Sequence, residues 1–375
     1  MVKRLKYQEQ ENAFIGCLLG TAVGDAMGLS YEGLSPQRLI KLYPAIDKYH
    51  LIFGKGLVSD DTEHTCLVAQ SLIVSGHDIN IFKKTLAWKL RGWLLGLPAG
   101  IGFATLKGIV KLWLGFSPDN SGVFSAGNGP AMRSAIIGVC YGHDEEKLKR
   151  FVKVATRITH TDPKAELGAL AVAVAAYLSS LKKTVSPQDY LEKLEKLLYS
   201  SSLFYLPEKE RQFNEESLEE FFALLKKTID SISSGQSTTD FAQTLGLHNG
   251  VSGYIYHTLP MVIHLWLKNQ ENYQSAILDV IRCGGDTDTV AAIVGGIIGA
   301  RVGEQGIPPL WLANLWEFPR NIRWMKKLGQ RLNQTGCFGI KQQSLSVSLV
   351  SVFLRNIIFM IIVLLHGFRR LLPPY

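Results

Sequence analysis

The sequence predicts an all-α fold, on three observations. Apolar residues recur at helical spacing in segment after segment, and no run alternates with period two or repeats a strand–helix–strand rhythm. Glycines inside apolar stretches, as in "VGGIIGA" around Gly295, suit close helix–helix approach better than turns. In chain order, helices are expected over residues 11–27, 62–74, 82–95, 129–139, 145–157 and 166–180. The last of these, "ELGALAVAVAAYLSS", is alanine-rich and almost uncharged, so it should be buried on most sides. Further helices are expected over 187–199, 215–231, 256–266, 273–282 and 289–302. The polar stretch from Lys182 to Thr239 should cover the outside of the core, with "SSGQSTTD" as a loop.

An apolar content of 47% with 19% charged residues belongs to a folded chain, and 375 residues can bury a sizeable core. Five cysteines without a CxxC pair form neither a zinc site nor an even disulfide framework, which fits a reducing, cytoplasmic compartment. The net charge of +8 sits partly at the ends, in Lys3, Arg4 and Lys6 and in Arg355, Arg369 and Arg370. With no nucleic-acid motif beside it, it reads as a solvated surface plus a basic tail. The basic residues before "FIGCLLGTAVG" imitate a signal peptide, but Asp25 and the helical continuation mark mature protein.

The end of the chain differs. Residues 345–365 are apolar apart from serines, Arg355 and Asn356, so we divide the chain near Ile340 into a globular unit, 1–340, and an apolar tail, 341–375, forming one additional helix. A helix of ~20 residues spans a bilayer core. Arg355 in its middle would cost roughly 2.5–3.5 kcal/mol there, which the surrounding Leu, Ile, Val and Phe can offset. The tail is a candidate membrane anchor for a cytosolic domain. The alternative is a helix packed on the domain with its apolar face buried.

Two acidic stretches raise a chemical question, "SDDTEHT" from Ser59 and "CGGDTDTV" from Cys283. Asp60 can serve as an N-cap with Glu63 at capping-box spacing, and Asp286 can cap the helix expected near Thr289. Capping leaves the second acid of each pair, Asp61 and Asp288, without a reason, and adjacent carboxylates repel. Convergence of the two stretches would instead make an all-oxygen site suited to Mg²⁺ or Mn²⁺. Asp25 reads as a buried cap or ion-pair partner. The "GNG" of Gly127, Asn128 and Gly129 reads as a turn or a phosphate-holding loop, and His160 as a lone loop histidine.

In combination, "GCLLGTAVGDAMGLSYEG", "SDDTEHT", "GNGPAMRSAIIG", "THTDP", "GVSGYIYHTLP" and "CGGDTDTVAAIVGGIIGA" resemble the ADP-ribosylglycohydrolase family, which includes the dinitrogenase reductase-activating glycohydrolases. The resemblance spans about residues 12 to 305. It implies a compact multi-helix bundle with two Mg²⁺ or Mn²⁺ ions. By motif, Ser59, Asp60 and Asp61 match one set of metal ligands and Asp286, Asp288 and Thr289 the other. Ser59 stands where many relatives have threonine. Glu32 matches an acid near the metals, Gly127, Asn128 and Gly129 a diphosphate-holding loop, and His160 a ribose-contacting loop.

The activity implied is hydrolysis of an N- or O-glycosidic bond at C1″ of ADP-ribose, on a modified protein or a small ADP-ribosyl compound. The ions would orient the vicinal ribose hydroxyls and acidify water, with Asp60 or Asp61, and then Glu32, as proton acceptors. Arginine-directed relatives often carry an acid where this chain has Ala99 and Gly100, and relatives often have aspartate where it has His257. Serine-linked ADP-ribose and O-acetyl-ADP-ribose therefore stay open as substrates. The alternative function is a catalytically silent ADP-ribose-binding protein tethered to a membrane.

Overall fold

This computed structural model describes residues 2–199 and 208–371, leaving out the side chains of 2–6, 208–215, 337 and 338. Among the described residues the chain forms eighteen α-helices and no strand. They are α1 (Val2–Leu29), α2 (Pro36–Leu42), α3 (Asp60–Ser75), α4 (Ile79–Leu95), α5 (Phe103–Trp113), α6 (Gly129–Met132), α7 (Ala135–Tyr141), α8 (Glu145–Arg157) and α9 (Pro163–Ser180). There follow α10 (Pro187–Tyr199), α11 (Glu208–Ser233), α12 (Thr238–Thr244), α13 (Ile255–Lys268), α14 (Tyr273–Cys283), α15 (Thr287–Val302), α16 (Pro309–Asn314), α17 (Ile322–Phe338) and α18 (Leu349–Arg369).

The helices with strong ends fall where the sequence puts them. α8 starts on Asp144, whose side chain accepts from Lys147 N at 3.0 Å, carries Glu145 and Glu146 in its first turn and closes on Arg157. α9 begins three residues earlier than expected because Pro163 fits the first turn behind the Asp162 cap. The helix expected over 129–139 breaks at Arg133 and Ser134. There Ser134 Oγ donates to Ala131 O at 2.9 Å, and the Arg133 side chain turns inward to donate to Ala155 O at 2.9 Å and to Thr159 Oγ1.

The centre of the bundle is the antiparallel pair α1 and α15. Every residue from Thr287 to Arg301 is buried, as is α1 from Ala13 to Met27. Gly16, Gly20, Gly24 and Gly28 stand one turn apart on α1, and a Cβ on any of them would collide with a backbone carbonyl of α15. The stripe brings the end of α1 against the start of α15, where Thr287 Oγ1 donates to Gly28 O at 2.8 Å. α9, the alanine-rich helix, packs on α7, α13 and α15, while α17 lies over α1 and α3.

Beyond Gly339 the chain stays on the bundle. Gln342 N donates to Ile73 O at 3.1 Å, and Gln70 Nε2 donates to Leu345 O. α18 then lies across the surface, attached by its polar residues. Arg355 donates to both carboxylate oxygens of the fully buried Glu317 (3.1 and 2.6 Å) and to Val58 O at 2.6 Å. Asn356 Nδ2 reaches Gly96 O at 2.8 Å, the His366 ring meets Ser30 O at 3.0 Å, and Arg370 donates to Glu32 O at 2.7 Å. The alternative of a packed helix is right about the packing and corrected on the face: α18 buries Arg355, Asn356 and His366 with Val352 and Phe359, because Glu317 and four backbone carbonyls await donors there, and most of its apolar residues are outside.

Two substitutions test these packings. Gly20→Leu should lower the unfolding free energy by about 3 kcal/mol or more in a urea titration, because a backbone carbonyl cannot move aside as a side chain can. Arg355→Met should cost about 3–5 kcal/mol by stranding Glu317 without its counter-ion, and adding Glu317→Leu should recover part of the loss.

Candidate active site

The loops at one end of the α1–α15 pair are stitched together by single backbone bridges. Gly33 N donates to Gly285 O and Gly285 N to Leu34 O, both at 2.8 Å, and Asp286 N donates to Val251 O at 2.7 Å. Asn128 N donates to Gly253 O at 2.9 Å, and Thr161 N to Val123 O at 2.9 Å. Gly284 and Gly285 make the turn possible at φ of 67° and 81°, where a side chain would be strained. The loops enclose a groove of about 700 Å³ whose walls include Glu32, Asp60, Asn128, His160, Asp286 and Asp288.

The two acidic stretches meet in this groove. Thr289 Oγ1 donates to Asp61 Oδ2 at 3.2 Å across 228 residues of sequence, and Ser59 Oγ donates to the same oxygen at 2.9 Å. Asp61 and Asp288 are buried, Asp60 and Asp286 half-buried on the groove wall, and Glu32 exposed at its mouth. Burial, and after it the neighbouring carboxylates, hold Asp60, Asp61 and Asp288 above the ordinary carboxylate range.

Capping does not explain these acids. The N-cap of α3 is Ser59, not Asp60, and it accepts from Asp61 N at 3.3 Å. The carboxylate that serves the start of α3 is Asp25 on α1, accepting from Ser59 N at 2.9 and 3.0 Å and from Thr62 N at 3.1 Å. Burial raises Asp25 to about 7 against the lowering effect of those donors. Glu63 makes no capping box either: its carboxylate faces away, to Arg320 Nη1 at 2.5 Å and Trp93 Nε1 at 2.6 Å. Asp286 precedes α15 without a capping bond, and Asn128 Nδ2 donates to it at 2.7 Å instead.

Among the described residues no three His, Cys, Asp or Glu side chains stand gathered as a ready cation cage. The donor chemistry nevertheless fits a hard cation. Asp61 Oδ1 and Asp288 Oδ1 are buried oxygens without a hydrogen-bond partner, beside the hydroxyls of Ser59 and Thr289. Cations nearby are engaged elsewhere: Arg320 pairs with Glu63, and Arg133 turns to His64, Ala155 and Thr159.

The opposite wall carries the "GNG" loop and His160. The Asn128 backbone N–H is taken by Gly253, so that donor is not free for a ligand, while its side chain braces Asp286 and Thr258. A Cβ at Gly127 or Gly129 would press on the His160 ring at 3.1 or 3.2 Å, so the glycines seat the imidazole against the groove. Burial and then Arg133 lower the His160 pKa to about 3, leaving it neutral. Ala99 packs against the small cluster of Leu29, Leu51, Leu57 and Phe359, Gly100 and Phe103 line the groove, and His257 meets Ser252 Oγ at 2.8 Å. Sequence reasoning singled out neither Arg133 nor Glu317. Their only signal was a charge inside an apolar or aromatic run.

Comparison with known proteins agrees with this geometry. The family model for ADP-ribosylglycohydrolase matches residues 6–337. A protein of Archaeoglobus fulgidus is 30% identical over 81% of this chain and 92% of its own length. The ADP-ribosylhydrolase ARH3 of Gallus gallus is 27% identical over 86% of this chain and 93% of its own. The ADP-ribosyl-[dinitrogen reductase] glycohydrolase of Rhodospirillum rubrum is 25% identical over 82% and 92%. A solved structure described as an ADP-ribosylglycohydrolase-related protein complex shares the fold, with a TM-score of 0.61 and 22% identity over 88% of this chain and 99% of that one. The all-helical bundle, the meeting of the two acidic stretches and a family match over most of the chain lead to one conclusion: the chain belongs to the ADP-ribosylglycohydrolase family of glycosidic-bond hydrolases.

Proposed function

We propose that the chain hydrolyses the glycosidic bond at C1″ of ADP-ribose, releasing it from a modified protein or a small ADP-ribosyl compound. The observation that carries this is the bond from Thr289 to Asp61, which brings the two acidic stretches to one groove with bare carboxylate oxygens on each side. In this reading Ser59, Asp60, Asp61, Asp286, Asp288 and Thr289 hold two divalent cations, Mg²⁺ or Mn²⁺. Bound there, the cations would orient vicinal ribose hydroxyls and make water a better acid.

The residues of the chain supply the rest. Asp60 is our choice of proton acceptor, since it faces the groove and Asp61 Oδ2 is already committed to two hydroxyls. The anionic wall favours the positive charge that develops at the anomeric carbon. Glu32, at the mouth, guards entry and can take over proton transfer. Neutral His160 offers a ring nitrogen to the ribose, and Gly127 and Gly129 bring the wall down to backbone where a diphosphate needs room. The region around Ala99 and Gly100 offers no carboxylate to a guanidinium, which supports an O-linked substrate over an arginine-linked one. The described cysteines Cys17, Cys66, Cys140 and Cys283 are buried thiols outside any disulfide, in keeping with a cytoplasmic enzyme. We treat 1–340 as the catalytic unit and 341–375 as an appendage to it.

Asp61→Asn and Asp288→Asn should each lower kcat/KM for ADP-ribose release by about 10²-fold or more, with far-UV circular dichroism unchanged. EDTA should abolish turnover, and Mg²⁺ or Mn²⁺ should restore it. In a panel of arginine-, serine- and acetyl-linked ADP-ribose, the O-linked substrates should turn over fastest. Turnover by both variants at the wild-type rate would overturn the assignment.

A further inference from the structure

Two helices among the described residues are long and apolar enough to cross a bilayer, and they differ in where their side chains go. The 7–29 part of α1 is core, 94% buried, whereas the apolar stretch of α18 is only 28% buried. On α18, Phe353, Ile357, Ile361, Leu364, Leu365 and Phe368 follow helical spacing and all stand in solvent, Ile361 at 52% and Leu365 at 64% exposure. Arg355, Asn356 and His366 occupy the opposite face and bind the bundle. Amphipathicity is thus inverted relative to a helix that caps a core.

The apolar surface continues past α18. Phe359 shares a small apolar cluster with Leu29, Leu51 and Leu57, against which Ile52, Ile362 and Val363 pack, and Phe53, next after Ile52, is 96% exposed at a turn with φ of 44°. Trp316, beside the Glu317 that binds Arg355, is 65% exposed, and Leu97, beside the Gly96 that binds Asn356, is 53% exposed. A large exposed patch of this kind marks a docking surface.

Charge decides what docks. Residues 341–375 contain Lys341, Arg355, Arg369 and Arg370 and no acid. Arg369 lies one turn after Leu365 on the outward face, and Arg38, which donates to Arg370 O, adds an exposed cation beside it. A second copy would bring more positive charge to this edge. An anionic lipid surface brings the opposite sign, an apolar layer for the helix and an interface for Trp316.

We propose that α18 lies in the plane of an anionic bilayer, its outward face inserted at the headgroup boundary and its inward face still bound to the enzyme. A full span is a different state, since it would pull Arg355 from Glu317 and leave that carboxylate buried and bare.

Flotation of the full-length protein with vesicles tests this. The protein should float with phosphatidylcholine–phosphatidylglycerol vesicles, bind pure phosphatidylcholine far less, and be released by alkaline carbonate. The double variant Ile361→Asp, Leu365→Asp should lose vesicle binding by about tenfold or more while keeping wild-type turnover and thermal stability. Binding equal in the variant, or none by the wild type, would overturn the proposal. So would resistance to carbonate, which signals a span, or a lipid-free dimer in light scattering that the double variant dissolves.

Discussion

The contact on which this molecule depends is the bare backbone-to-backbone approach of α1 to α15. Four glycines one turn apart leave nothing between the two helices but main chain. Such a contact has little freedom to slide, because each turn of α1 fits against one carbonyl of α15. With the axial position fixed, the residue that follows α1 and the one that precedes α15 are fixed too. Glu32 therefore stands beside Asp286 and Asp288, and Asp25 on the same α1 reaches across to hold the start of α3. One packing constraint sets three acidic segments in a common frame.

Within that frame the acids divide by what faces them. Asp25 is surrounded by backbone and hydroxyl donors, Glu63 by Arg320 and Trp93, and Glu317 by Arg355. These three are buried and satisfied, and they hold the architecture. Asp61 and Asp288 are as deeply buried, yet each keeps one oxygen bare. Two unpartnered carboxylate oxygens at such depth are costly without a cation, since each charge raises the pKa of the others. The distribution of partners separates support from chemistry more clearly than the count of acids does.

Much of this could be read from the residues, and the exceptions have physical causes. The helical core was legible because α9 and α15 are apolar on all sides and α8 and α10 have unambiguous ends. α17 was not seen because its apolar residues form a narrow stripe in a polar sequence that only packing on α1 and α3 reveals. The break at Arg133 and Ser134 was hidden because its cause, the carbonyl of Ala155 and the hydroxyl of Thr159, lies in another part of the chain. The acids of the groove were found through their redundancy as caps, although Ser59 and Asp25 turned out to do the capping. The orientation of α18 was illegible, since composition shows a greasy helix but not that Glu317 would claim its arginine.

The attachment of α18 has a consequence for biosynthesis. Arg355 secures Val58, the residue before the first acidic stretch, and Arg370 secures the carbonyl of Glu32, so a late segment of the sequence ties two early ones. Synthesis runs from the other end, and domains generally fold in the order they emerge. A nascent chain that has not yet delivered these two arginines lacks the outer ties at Val58 and Glu32. The start of α3 and the loop after α1 therefore receive these ties only after the bundle that carries them has been made.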